Sequence, residues 1–294
     1  MNWTVFTVAI LIGAAAGSAV QLYRRSRMRG DRQITAVLAV ANRVGLVVTT
    51  EALGDRIADR LRRQARITLL TLPLALTVGL LVALRIPADA STIFVALPVW
   101  VMVVAQQVAT SIAAVVEGFR LDPDRPRVAM VRPRSRGDYS DAVVRVGVRV
   151  LAVLAGVVGL AAVLAQVEGA VAIGAAALIA IAGTFTADLL AESLARHPQH
   201  ARDDDELRWD DALRALAVND LYTGPFAVAA LTAWAGGIQL LDIVPITWGW
   251  AGVAVVAAVP LLASATVIAA IVTGFTRRPA YRAVRRLWPE ETRA

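Results

Sequence analysis

The chain has 294 residues, 57% of them hydrophobic and only 18% charged, and its mean hydropathy is +0.62. That balance, with several nearly charge-free apolar runs of about 20 residues, excludes a pair of soluble domains and predicts a polytopic membrane protein. All 30 basic residues are Arg, the net charge is +7 and Cys is absent, which excludes disulfides, a thiolate nucleophile and Cys-ligated metal.

The first apolar run covers residues 3–22, and Arg24, Arg25, Arg27 and Arg29 follow it at once. A secretory signal carries its positive charges ahead of the apolar stretch. The order here predicts an uncleaved anchor with its N-terminus outside; the Ala-rich stretch 14–19 is where cleavage would otherwise fall. Residues 33–66 form no span. Ile34, Val37, Leu38, Ala41, Val44, Val47 and Val48 fall at helical spacing, as do Leu53, Ile57 and Leu61. This predicts cytoplasmic amphipathic helices, the first lying at the membrane surface. Asp55, Asp59 and Arg63 offer i,i+4 partners on the wet face.

Six further spans are predicted at 67–86, 92–118, 146–166, 169–189, 222–241 and 247–275, the fourth and fifth joined by a very tight turn. Gly236-Gly237 reads as a turn on the outer face. The tail 276–294 places Tyr281, Val284, Leu287 and Trp288 at the spacing of a short amphipathic helix among Arg282, Arg285 and Arg286.

Segments 24–66, 120–149, 196–214 and 277–293 hold 11, 8, 4 and 6 Arg, and Arg85 alone falls on the other side. Positive charge is retained in the cytoplasm, so the N-terminus is expected outside and the C-terminus inside, which requires an odd number of spans. Trp234, Trp248 and Trp250 then fall near the outer interface. The expected fold is all-α, one transmembrane domain over residues 1–294. It consists of an anchor helix plus three hairpins at 67–118, 146–189 and 222–275. The hairpins carry a repeat signature. Their second helices end in Glu117-Gly-Phe-Arg-Leu-Asp-Pro123, Glu192-Ser-Leu-Ala-Arg-His-Pro198 and Thr273-Gly-Phe-Thr-Arg-Arg-Pro279. Hairpins one and three also share an entry, Thr71-Leu-Pro73 and Thr223-Gly-Pro225. A triplicated hairpin and a chance likeness among Arg-rich exits both account for this pattern.

Charges inside spans are costly and therefore informative. Thr184, Asp188 and Glu192 lie four residues apart on one face of span five, Glu117 ends span three, and Arg145 and Arg149 enter span four. An ion-pair cluster at the inner leaflet is expected, with a proton or cation foothold as the functional alternative. Gly13 and Gly17 form a GxxxG pattern in span one, which predicts close packing against a partner or a second copy. His197 and His200 beside Asp203–Glu206 are weak metal candidates, because Pro198 interrupts the helix that would align them. Nucleophile elbow, zincin and phosphate-loop patterns are absent from the sequence.

The expected function is a non-enzymatic membrane subunit or scaffold that contacts partner proteins or anionic lipid through Arg-rich cytoplasmic helices. The alternative is a small-solute or ion transporter built from the three hairpins. No cofactor is expected. Nucleic acid is not expected either, because few aromatic residues interleave with the Arg segments. The location is expected to be the cytoplasmic membrane, in an organism with the Arg-, Ala- and Val-rich coding of a high-GC bacterium.

Overall fold

The computed structural model describes residues 3–84, 92–120, 127–128, 134–167, 169–201, 203–243, 249–277 and 279–289. They form ten helices and one short ladder, in two compact units, residues 1–120 and 121–294. Each unit is described by itself. Arg85, Pro123 and Trp248, which enter the sequence reading, lie outside the described residues.

In the first unit, α1 (Trp3–Ser26) packs against α3 (Glu51–Ala83) and α4 (Thr92–Gly118). Leu11 and Ala15 of α1, Ala75 of α3 and Met102 of α4 form the shared core. Between α1 and α3 lies α2 (Asp31–Val44), whose Val37, Ala41 and Val44 are buried. Its ends follow from glycine. Gly30 at its start has φ 57° and Gly45 at its end has φ 74°, the left-handed region that residues with a Cβ rarely adopt. The Gly45 N–H closes the last turn on the Ala41 carbonyl at 2.7 Å. The Thr50 hydroxyl accepts the Leu53 N–H at 3.3 Å and so caps α3.

The second unit opens with β1 (Arg127–Val128) and α5 (Arg136–Tyr139). A bundle of α6 (Ala142–Leu164), α7 (Ala170–Arg196) and α8 (Asp204–Ile243) follows, each touching the other two. α9 (Gly249–Arg277) lies along α8, and α10 (Pro279–Leu287) returns to it. Between α7 and α8, β2 (Gln199–His200) pairs with β1, Arg127 opposite His200 and Val128 opposite Gln199. The fold is all-α as expected, and this two-residue antiparallel ladder is a local pairing of connecting segments. The expected tight turn joins α6 to α7, with Gln166 at φ 53° and Gly169 at φ 75°.

Five of these helices are long and apolar enough to cross a membrane: α3, α4, α6, α7 and α8. The first and seventh expected spans fall on α1 and α9. The distribution of side chains fits lipid rather than water around the bundles. Leu74, Leu81, Val153, Leu160, Leu178, Phe185, Leu189 and Leu261 are exposed, while Ala155, Ala177, Ala180, Ala187, Ala191, Ala229 and Ala233 are buried. A soluble domain would bury the large side chains. Helices in lipid gain instead from close approach along small residues.

The close approaches correct one expectation. Gly236 and Gly237 are not a turn; they lie inside α8, which runs on to Ile243. A Cβ on Gly236 would come within 2.5 Å of Val158 of α6, and one on Gly237 within 2.9 Å of Pro260 of α9. On Gly159 of α6, a Cβ would meet the Ala177 Cβ of α7 at 2.7 Å. At Gly13 and Gly17, by contrast, nothing described lies within 4 Å. The Leu11–Ala15 face of α1 makes the contact within this unit, and no described residue lies on the GxxxG face. Gly159→Ala should therefore cost about 1–3 kcal/mol, because the Ala177 Cβ is fixed to its backbone and cannot yield. Gly13→Ala should leave stability unchanged. Unfolding by detergent titration compares the two, and equal losses would contradict this packing.

Candidate functional site

Three elements of the second unit converge on Asp188 of α7. Arg149 from α6 donates Nη2 and Nε to its Oδ2 at 2.7 and 3.2 Å. Arg136 from α5 places Nη1 2.9 Å from Oδ1, and the Tyr222 hydroxyl from α8 donates to the same oxygen at 2.9 Å. Asp188 is 13% exposed at the side chain and Arg149 46%. The helical pitch explains the convergence: Thr184, Asp188 and Glu192 share the face of α7 turned toward α5, α6 and α8. One turn further out, Glu192 accepts the Arg136 backbone N–H at 3.2 Å and pairs with Arg196 at 2.7 Å.

Of the members of the expected cluster, Arg149 is paired with Asp188, while Arg145 and Glu117 take other partners. Arg145 turns away and donates to the Ser140 carbonyl and hydroxyl at 2.6 and 2.9 Å, which closes the entry to α6. In the first unit, Glu117 is gripped by Arg63, whose Nε and Nη2 lie 2.9–3.1 Å from both carboxylate oxygens. Arg63 therefore faces α4 rather than the wet face. Asp59 is left to Arg62, and Asp55 accepts the Gln33 amide at 2.6 Å.

A second centre lies on the N-terminal half of α8. Asp211 is wholly buried. Its Oδ1 accepts the Tyr139 hydroxyl at 2.6 Å and the Gln199 amide at 2.7 Å; its Oδ2 accepts the Trp288 indole at 3.1 Å, with Arg134 at 3.5 Å. One carboxylate so ties α5, β2, the segment before α5 and the tail to α8. Burial, reinforced by the neighbouring carboxylate, pushes the Tyr139 phenol well above its ordinary value. The stabilisation tied to that proton is complete below pH 10, the ordinary phenol value, and is lost only as pH rises further, so it does not vary near neutrality. Arg214, also buried, donates to the carbonyls of Leu194, His197 and Pro198 and pairs with Asp210. A guanidinium there satisfies the unpaired carbonyls at the end of α7 and opposes the negative end of its dipole. The tail closes over these groups. Arg282 and Arg286 meet Asp141, and Arg208 lies over the Trp288 ring at 5.2 Å.

No family model matches the chain, and no curated protein or solved structure is similar to it. The chemistry is therefore read from the groups themselves. Both carboxylate centres are saturated with donors, which suits structural locking more than proton transfer. His197 ends α7 with its carbonyl engaged by Arg214, and His200 pairs in β2 with Arg127. Among the described residues, no group of three His, Cys, Asp or Glu could hold a metal.

Asp211, Tyr139, Gln199 and Trp288 were not legible as a centre in the sequence, where only Asp203–Glu206 reads as a solvated acidic loop leading into the next helix. One signal was available. Asp211, Ala215, Val218 and Tyr222 recur at steps of four, three and four, and the last three are buried residues. A carboxylate on that stripe faces inward.

Proposed function

We propose that the chain is a non-enzymatic, multi-pass membrane subunit or scaffold that presents Arg-rich surfaces to anionic lipid or a partner protein. The observation that carries this reading is the closure of the charges inside span-length helices. Asp188, Glu117 and Arg149 all sit in ion pairs at one end of their helices. Such pairs fix helix ends at a lipid boundary, whereas a transport path needs groups that can exchange partners at mid-depth. In this reading the chain crosses the cytoplasmic membrane seven times, N-terminus outside, as one anchor and three related hairpins. Pro73 and Pro225, each about six turns into its helix, favour a common origin for hairpins one and three.

The second reading is a transporter, favoured by one observation: Asp188 is an intramembrane carboxylate reached by a tyrosine hydroxyl. The orientation is tested by thiol labelling, since the protein has no Cys of its own. A single Cys at Glu168 or Asp242 should react with an impermeant reagent added outside, and one at Asp204 should not. Labelling at 204 from outside would overturn the topology. The scaffold reading itself is tested in vesicles. Anionic phospholipid should raise the melting temperature, and salt should reduce the gain, because a ligand that binds only the folded state stabilises it and exposed charges are screened. Equal stability in neutral and anionic vesicles, together with proton flux abolished by Asp188→Asn, would favour the transporter.

A further inference from the structure

We infer that the first unit contains a binding pocket for the phosphate of an anionic phospholipid headgroup, formed where the end of α1 meets α3 just ahead of its apolar half. This rests on the lipid-contact reading above and names its site. A cavity of about 390 Å³ is lined by Ser26, Arg27, Met28, Arg29, Asp59, Arg62 and Arg66, a size within the range of small-molecule sites.

The chain builds it locally. α1 ends at Ser26, whose hydroxyl is bound to the Tyr23 carbonyl at 2.9 Å. Residues 27–29 then run beside α3 before the left-handed Gly30 reverses the chain. Arg62 fixes this segment. Its Nη1 donates to the Met28 carbonyl at 3.1 Å and to the Gln33 side chain at 2.9 Å, and its Nη2 pairs with Asp59. The one carboxylate of the lining is thereby neutralised. Arg27, Arg29 and Arg66 remain, with no carboxylate partner among the described residues; Arg27 is steadied over the Tyr23 ring at 5.8 Å. Three like charges around one concavity repel one another unless an anion shares them, and a guanidinium matches phosphate oxygens with paired donors.

Placement selects a lipid over a soluble phosphate. Arg66 directly precedes the apolar run of α3, and Arg27 and Arg29 directly follow that of α1. The pocket thus lies at headgroup depth. Beside it, Ile34 and Leu38 of α2 are exposed and would meet the acyl boundary.

The test uses the full-length protein in detergent, titrated with phosphatidylglycerol and followed by native mass spectrometry. Arg29→Gln/Arg66→Gln should weaken the tightest lipid by about twenty-five-fold, at roughly fivefold per charge. Arg32→Gln/Arg43→Gln, two exposed charges of α2 outside the pocket, should weaken it by no more than a few-fold. Equal losses from the two pairs would overturn the pocket while leaving lipid contact by the Arg-rich face in place. No preference for phosphatidylglycerol over phosphatidylcholine in the unaltered protein would overturn both. Glycerol phosphate or inorganic phosphate that displaces the lipid at similar concentration would overturn the lipid as the occupant. Circular dichroism confirms that both variants keep their helices, which is expected because none of the four Arg holds the fold.

Discussion

Asp211→Ala should destabilise the second unit by about 3–5 kcal/mol, the cost of removing one side of a buried charge pair. The carboxylate is wholly buried and receives only donors: a phenol, an amide, an indole and a guanidinium. Each would be left without an acceptor. Asp211→Asn should be nearly as harmful, since an amide offers one accepting oxygen where two are occupied and turns its N–H₂ toward other donors. Because Tyr139, Gln199 and Trp288 come from segments far apart in sequence, the loss should release the tail and the α7–α8 connection together. Hydrogen exchange at residues 134–141, 197–203 and 279–289 would show this as a joint rise. A melting temperature within a degree of the parent would show that the tail is held by other contacts and that Asp211 is incidental.

Asp188→Asn should cost less, about 1–3 kcal/mol, because Arg149 is half-exposed and can reach lipid headgroups or water once released. The variant leaves two guanidiniums, Arg136 and Arg149, without their shared carboxylate. Asp188→Asn with Arg149→Leu should recover part of the loss, and a double-mutant cycle measures the coupling. Recovery should be incomplete, since Arg136 remains. If Asp188→Asn leaves the melting temperature unchanged yet abolishes a proton flux, the carboxylate serves transport and the scaffold reading fails.

The span-length helices were legible because lipid imposes a simple code. Runs of apolar residues, broken by Arg and Pro, are visible without any knowledge of packing. The tight turn at 165–169 and the amphipathic pattern of α2 were legible for the same reason: glycine and helical periodicity act locally. Pairing of Arg149 with Asp188 was also within reach, since both lie near the same ends of neighbouring spans. Helix-helix contact was not. Within the second unit the close approach occurs at Gly159, Gly236 and Gly237, the last two expected in a turn. In an Ala-rich helix several faces are small enough to pack, and spacing alone does not choose among them.

What the sequence by itself determined is therefore a set of apolar helices, their Arg-rich ends and a short list of costly charges. Only the tertiary structure decided which charge meets which. Arg63 turns to Glu117, Arg145 to Ser140, and Asp211 inward to Tyr139, Gln199 and Trp288. The physical reason is that Arg is long and flexible, so several carboxylates lie within reach of each one in the sequence pattern. The rotation of each helix about its axis, set by side-chain packing along its whole length, decides which of them it meets and turns Arg145 to a carbonyl instead.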